Sequence, residues 1–248
     1  MFEGKSGSLG GVLAAALLGA AAPCFAAPML PNIAPFGDRA AADPPVARYV
    51  TVQGQSFVLD RASGPQVLLK FDGSPEVWVL EASPAPGGAV LFRNDAGDTV
   101  LRQTRLGGLT LFTNQEPGGM PVASIGEAEE LAPPPLPQGI AAQRILQAGL
   151  RAARVVQHSI AFDAPSYPTP AGPLVVDTAG VAAEAMVRMS HRADCHAFLM
   201  RLDRVVIVMG PRADVAVNGT TMTIYVAPGR GFAGRPSSDR LIKAALKR

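Results

Sequence analysis

The chain has 248 residues, 48% hydrophobic and 17% charged, with 26 Gly, 23 Pro, 2 Cys, 1 Trp and a formal net charge of +2. This is too apolar for a mostly disordered protein, too poor in cysteine for a disulfide scaffold and too weakly basic for a generic nucleic-acid binder. The length suits one large domain or two small ones with a buried core.

Lys5 and the α-amino group form a short positive region ahead of the apolar run Val12 to Ala22, which is about half of a membrane-spanning helix. Pro23 and then Cys24-Phe25-Ala26 follow, ending on a small residue as signal peptidase requires. Cleavage is expected after Ala26, leaving no membrane span. Pro23 argues against Cys24 as a lipid-bearing residue. The mature chain would then keep only Cys195. Arginine far outnumbers lysine, which occurs at Lys5, Lys70, Lys243 and Lys247. With the abundant alanine, this texture suggests a high-GC bacterial genome and a periplasmic or secreted protein.

Residues 27–45 are rich in Pro and Ala without a period, as in a flexible lead-in. From 46 to 113 the chain alternates apolar and polar residues, broken by turn signals roughly every 8–12 residues. Strands are predicted over 48–53, 56–60, 66–71, 76–81, 89–93, 99–104 and 109–113. They form an antiparallel meander of six or seven strands, a small sandwich or barrel with Trp78 in its core. Residues 114–137 include Pro133-Pro134-Pro135-Leu136-Pro137 and are expected to be a linker.

A helix is predicted over 138–158, with Ile145, Leu146, Gly149, Leu150, Ala153 and Val156 inward and Arg144, Arg151 and Arg154 on a solvated face. A short strand over 159–162 and a proline loop come next. A longer helix over 178–202 should bury Ala182, Met186, Met189, Ala193 and Ala197. Strands over 204–209, 214–217 and 221–226 follow, the last two joined by Asn218-Gly219, a strong hairpin signal. Pro236-Ser237-Ser238-Asp239 should cap a final helix over 239–247. The fold class is therefore α+β: an N-terminal antiparallel β module and a C-terminal helix–helix–β-meander–helix module over 138–248.

One cluster carries reactive side chains: His191, Asp194, Cys195 and His196. On a helix His191 and Cys195 share a face, with Asp194 beside them, a spacing that could hold a metal such as zinc or pair a thiol with a base. His196 points about 100° away from Cys195 on that helix. The plainer alternative is a helix surface with one buried cysteine. Gly229-Arg230-Gly231-Phe232-Ala233-Gly234 matches G-x-G-x-x-G and lies between a predicted strand and a predicted helix, but Pro236 follows the glycines, so the helix does not start within the glycine turn, and the second parallel strand of a dinucleotide site is missing. It is better explained as a loop leading to the last helix. The acids Asp60, Asp72, Glu76 and Glu81 lie at strand ends and turns, where acids collect routinely, and do not indicate a glycosidase pair. Neither G-x-S-x-G nor S-x-x-K occurs. No cofactor is implied.

Three segments together resemble a known family: Asp72-Gly73-Ser74-Pro75-Glu76-Val77-Trp78, the stretch Leu101 to Thr110, and Ala233-Gly234-Arg235-Pro236-Ser237-Ser238-Asp239-Arg240. They resemble exported alphaproteobacterial proteins grouped as a domain of unknown function, of the DUF4908 type. The resemblance implies export and bacterial origin and brings no catalytic residue. The leading expectation is a non-enzymatic envelope module that binds a partner or ligand. The alternatives are a metal protein or hydrolase centred on His191, Asp194, Cys195 and His196, and a structural protein anchored by an uncleaved first segment.

Overall fold

The computed structural model describes residues 44–137 and 139–247, which belong to one compact unit. The predicted signal segment, Cys24 and nearly all of the 27–45 lead-in lie outside them. Among the described residues no helix is long and apolar enough to cross a membrane.

The first half is a closed antiparallel barrel of eight strands in simple meander order. They are β1 (Val46–Thr51), β2 (Ser56–Asp60), β3 (Val67–Phe71), β4 (Val77–Ala85), β5 (Ala89–Arg93), β6 (Thr99–Gln103), β7 (Leu109–Leu111) and β8 (Met120–Glu127). Strand periodicity sends alternate side chains inward. Tyr49, Phe57, Leu59, Leu69, Leu80, Phe92, Leu101 and Leu111 fill the interior, so the barrel is packed rather than hollow. Trp78 is only half-buried at the margin of this core, edge-on to Phe71.

The eighth strand lies inside the segment expected to be a linker. Pro121 and Gly118-Gly119 made it look unlike a strand. The β1 ladder meets β8 only from Val122 onward, one residue after Pro121, so the missing N–H breaks no bond in that ladder. Without β8, β1 and β7 would both present open edges; with it the sheet closes.

The second half places helices α1 (Ile140–Val156) and α2 (Gly172–Ser190) against a four-stranded sheet of order β11-β12-β10-β9. These strands are β9 (Ala161–Asp163), β10 (Arg204–Met209), β11 (Asp214–Asn218) and β12 (Thr221–Val226). The hairpin across Asn218-Gly219 forms, with Gly219 at φ +59°. The sheet is nevertheless mixed rather than a meander, because β10 runs parallel to both β12 and β9.

The expected helix over 178–202 is broken. α2 stops at Ser190; a 3-10 turn (Ala193–Cys195) and the short α3 (His196–Leu199) follow. The hydrophobic phase explains the break. The buried row Ala182, Met186, Met189 would continue through Ala193 and Ala197, but the large apolar groups stand at Cys195, Phe198 and Leu199. That is a slip of about two residues, or roughly 200° around a helix. Bending the chain buries those three groups and leaves Ala193 and Ala197 exposed. On α1 the buried row is Ile145, Ala148, Gly149, Ala152 and Val156, while Leu146 and Leu150 face outward.

The last helix, α4 (Ser238–Leu246), begins after the loop Pro228–Gly234. Phe232 from this loop packs on Leu68 and Val77 of the barrel. Gly234 is needed there for space: a Cβ would sit 2.1 Å from the Ala227 carbonyl oxygen.

Candidate functional site

In a meander the turns β1–β2, β3–β4, β5–β6 and β7–β8 all fall at one end of the barrel. α2 and α4 approach that end, and two of the three resembling segments meet there, Ser238 bonding Glu76 across 162 residues of sequence.

The contact is polar and largely buried. Ser237 is the N-cap of α4: its hydroxyl accepts from the Arg240 N–H, while its own N–H and hydroxyl donate to Asp95 in the β5–β6 turn. The Ser238 N–H and hydroxyl donate to the two carboxylate oxygens of Glu76, at 2.8 and 2.5 Å. The Asn94 amide donates to Asp239 at 2.8 Å. From α2, Arg188 donates to the Ser238 hydroxyl and to Asp239. The Arg235 guanidinium bonds Asp177 of α2 and the Val77 carbonyl of β4, and lies 3.9 Å from Glu76. Glu76 and Arg235 have side chains only 1% exposed. Burial pushes the Glu76 carboxyl above the usual range, opposed by the Arg235 charge and the Ser238 bonds.

Beside this junction lies a cleft of about 860 Å³, within the size range of small-molecule sites. The barrel contributes Phe71, Trp78 and Phe112; the helices contribute Glu184, Arg188, Asp239 and Lys243. The Arg188 guanidinium stands 5.8 Å over the Trp78 ring. Lys243 donates to Asp98 and to the Ala96 carbonyl, closing the cleft along α4.

The cluster predicted from sequence is arranged differently. The break after Ser190 removes the single helix that would have aligned His191 with Cys195. His191, Asp194 and His196 are exposed, whereas Cys195 is buried in the helical core. Arg192 grips both oxygens of Asp194 at 3.0 and 2.7 Å. That bond holds the Asp194 carboxyl below its usual range, while burial pushes the Cys195 thiol up. Among the described residues no three His, Cys, Asp or Glu side chains come together as a metal-holding group. His158 stands elsewhere, its Nε2 2.9 Å from the Leu202 carbonyl oxygen.

Sequence reasoning passed over Glu76 as one more acid near a turn, and named Arg188 and Asp177 nowhere. The available signal was the resemblance, since Glu76 and Arg235 both lie in its segments. The third segment forms the β6–β7 hairpin, whose Gly107 takes φ +92° within the turn.

Fold and site together define a class: a packed meander barrel joined through a buried ion network to an α/β layer, with an aromatic and polar cleft at the joint. The chain belongs to the family described as "Domain of unknown function (DUF4908)", whose model matches residues 31–245. No curated protein and no solved structure matches it.

Proposed function

We propose that the protein is an exported, non-enzymatic binding module of the bacterial envelope, and that its ligand occupies the cleft between the barrel end and α2 and α4. The observation that carries this is the cleft itself: both halves of the fold build it, and buried bonds fix the groups around it before any ligand arrives. Preorganised groups favour binding because little is lost in ordering them. The pattern of the first 26 residues supports export.

The test is a paired mass measurement on protein purified from a periplasmic extract. A denatured mass lacking residues 1–26 is expected. The native mass should exceed it by a ligand, and Thr99→Trp, which places a bulky ring in the cleft, should abolish that excess. A full-length mass in the cytosolic fraction would refute export. An excess unchanged in Thr99→Trp would refute the cleft as its location.

A further inference from the structure

Resting on the cleft as the binding site, we infer that its ligand is a neutral oligosaccharide. The argument begins with charge. The charged residues lining the cleft are Glu76, Asp98, Glu184, Arg188, Arg192, Asp239 and Lys243. Each is already engaged: Arg188 with Asp239, Lys243 with Asp98, Glu184 with Arg151, Arg192 with Asp194, and Glu76 with Ser238 and Arg235. At the largely buried Arg188–Asp239 pair and at buried Glu76, an anionic or cationic ligand must break an existing pair or leave its own charge unmatched, and either is unfavourable.

The unengaged groups are neutral. Gln55 from the β1–β2 turn and Asn114 and Gln115 from the β7–β8 turn line the cleft and are exposed. Their side-chain amides have no hydrogen-bond partner among the described residues. Each offers two donors and an acceptor, which suits a ligand carrying many hydroxyl groups. Phe71, Trp78 and Phe112 also line the cleft, all half-buried. Aromatic faces meet the apolar C–H faces of sugar rings, as aromatic side chains combine apolar area with fixed geometry. A lipid chain would need a dry channel, yet the barrel interior is filled by its own side chains. Aromatic rings and unengaged amides lining one cleft, with its charges paired, match a chain of uncharged sugars.

Trp78 is the only tryptophan in the sequence, so tryptophan fluorescence excited beyond the tyrosine band reports on this cleft. The full mature protein is titrated with maltopentaose and with the pentamer of N-acetylglucosamine. Pentagalacturonate and palmitate serve as charged and lipidic probes. A saturable Trp78 change with a neutral pentamer, insensitive to salt, is the expected result. Asn114→Ala combined with Gln115→Ala lies on an exposed turn and should leave the melting temperature unchanged. It should weaken binding about tenfold, the loss of one or two neutral hydrogen bonds. Unchanged affinity in that variant overturns the inference. Saturation by pentagalacturonate or palmitate but by neither neutral pentamer also overturns it, while leaving the cleft as a binding site. Silence of Trp78 toward every probe, together with a native mass free of ligand, removes both the sugar and the site.

Discussion

Glu76→Ala gives the sharpest test of the junction. In the native protein its carboxylate accepts two hydrogen bonds from Ser238 and faces the Arg235 guanidinium, all away from water. Hydrogen bonds to charged groups contribute about 1.5–3 kcal/mol each, and removing one member of a buried ion pair costs about 3–5 kcal/mol. These overlap rather than add, and Arg235 keeps Asp177 and the Val77 carbonyl. A loss of about 4 kcal/mol is expected. For a protein of this size 1 kcal/mol moves the midpoint by about 2–4 °C, so Tm should fall by roughly 8–16 °C. Glu76→Gln keeps the shape and one acceptor, and burial already favours the neutral form; its loss should be about 1–2 kcal/mol, or roughly 2–8 °C. Thermal melts followed by circular dichroism at neutral pH measure both. An alanine variant melting within about 2 °C of the parent would show that the network contributes little. Equal losses for the two variants would show that charge, not hydrogen-bond geometry, dominates.

Further expectations concern other parts of the fold. Asp60 is buried; desolvation raises its pKa, but bonds from the Ser63 hydroxyl and from the Leu131, Ala62 and Ser63 N–H groups outweigh this and hold the carboxyl below its usual value. Its stabilisation is present above the unfolded pKa near 4 and is lost as pH falls toward and through the folded value, so Asp60→Asn should cost about 2 kcal/mol at neutral pH and flatten the acid limb of a denaturation curve. A parallel acid limb in the variant would contradict this. Gly234→Ala drives a Cβ into the Ala227 carbonyl and should cost at least about 3 kcal/mol by urea unfolding. By contrast, Gly180→Ala on α2 meets nothing within 4 Å and should stabilise by about 0.5–1 kcal/mol. Buried Cys195, its thiol pKa raised, should resist iodoacetamide in the native state and react once urea unfolds the chain; native-state labelling at the rate of free cysteine would refute that.

Local patterns settled much of the architecture. Alternation and turn residues marked seven of the eight barrel strands, Asn218-Gly219 marked the last hairpin, and Pro236-Ser237 marked the start of α4. These signals are legible because they involve neighbours in the chain. Closure of the barrel was not legible: β8 contains Pro121, opposite Thr110 of β7, and the β1 ladder begins only at Val122, just past it. The order β11-β12-β10-β9 was also hidden, since a parallel pairing leaves no turn to read. The break of α2 was encoded in a phase slip, yet a slip becomes a break only when there is a core on which Phe198 and Leu199 can pack. The cleft depended most on tertiary structure. Glu76, Arg235 and Ser238 stand in segments that the resemblance marked, but nothing local to them, to Asp95 or to Arg188 shows that they meet. Folding brings them within hydrogen-bond reach and excludes water, and in that setting ordinary surface residue types become a buried network beside the cleft.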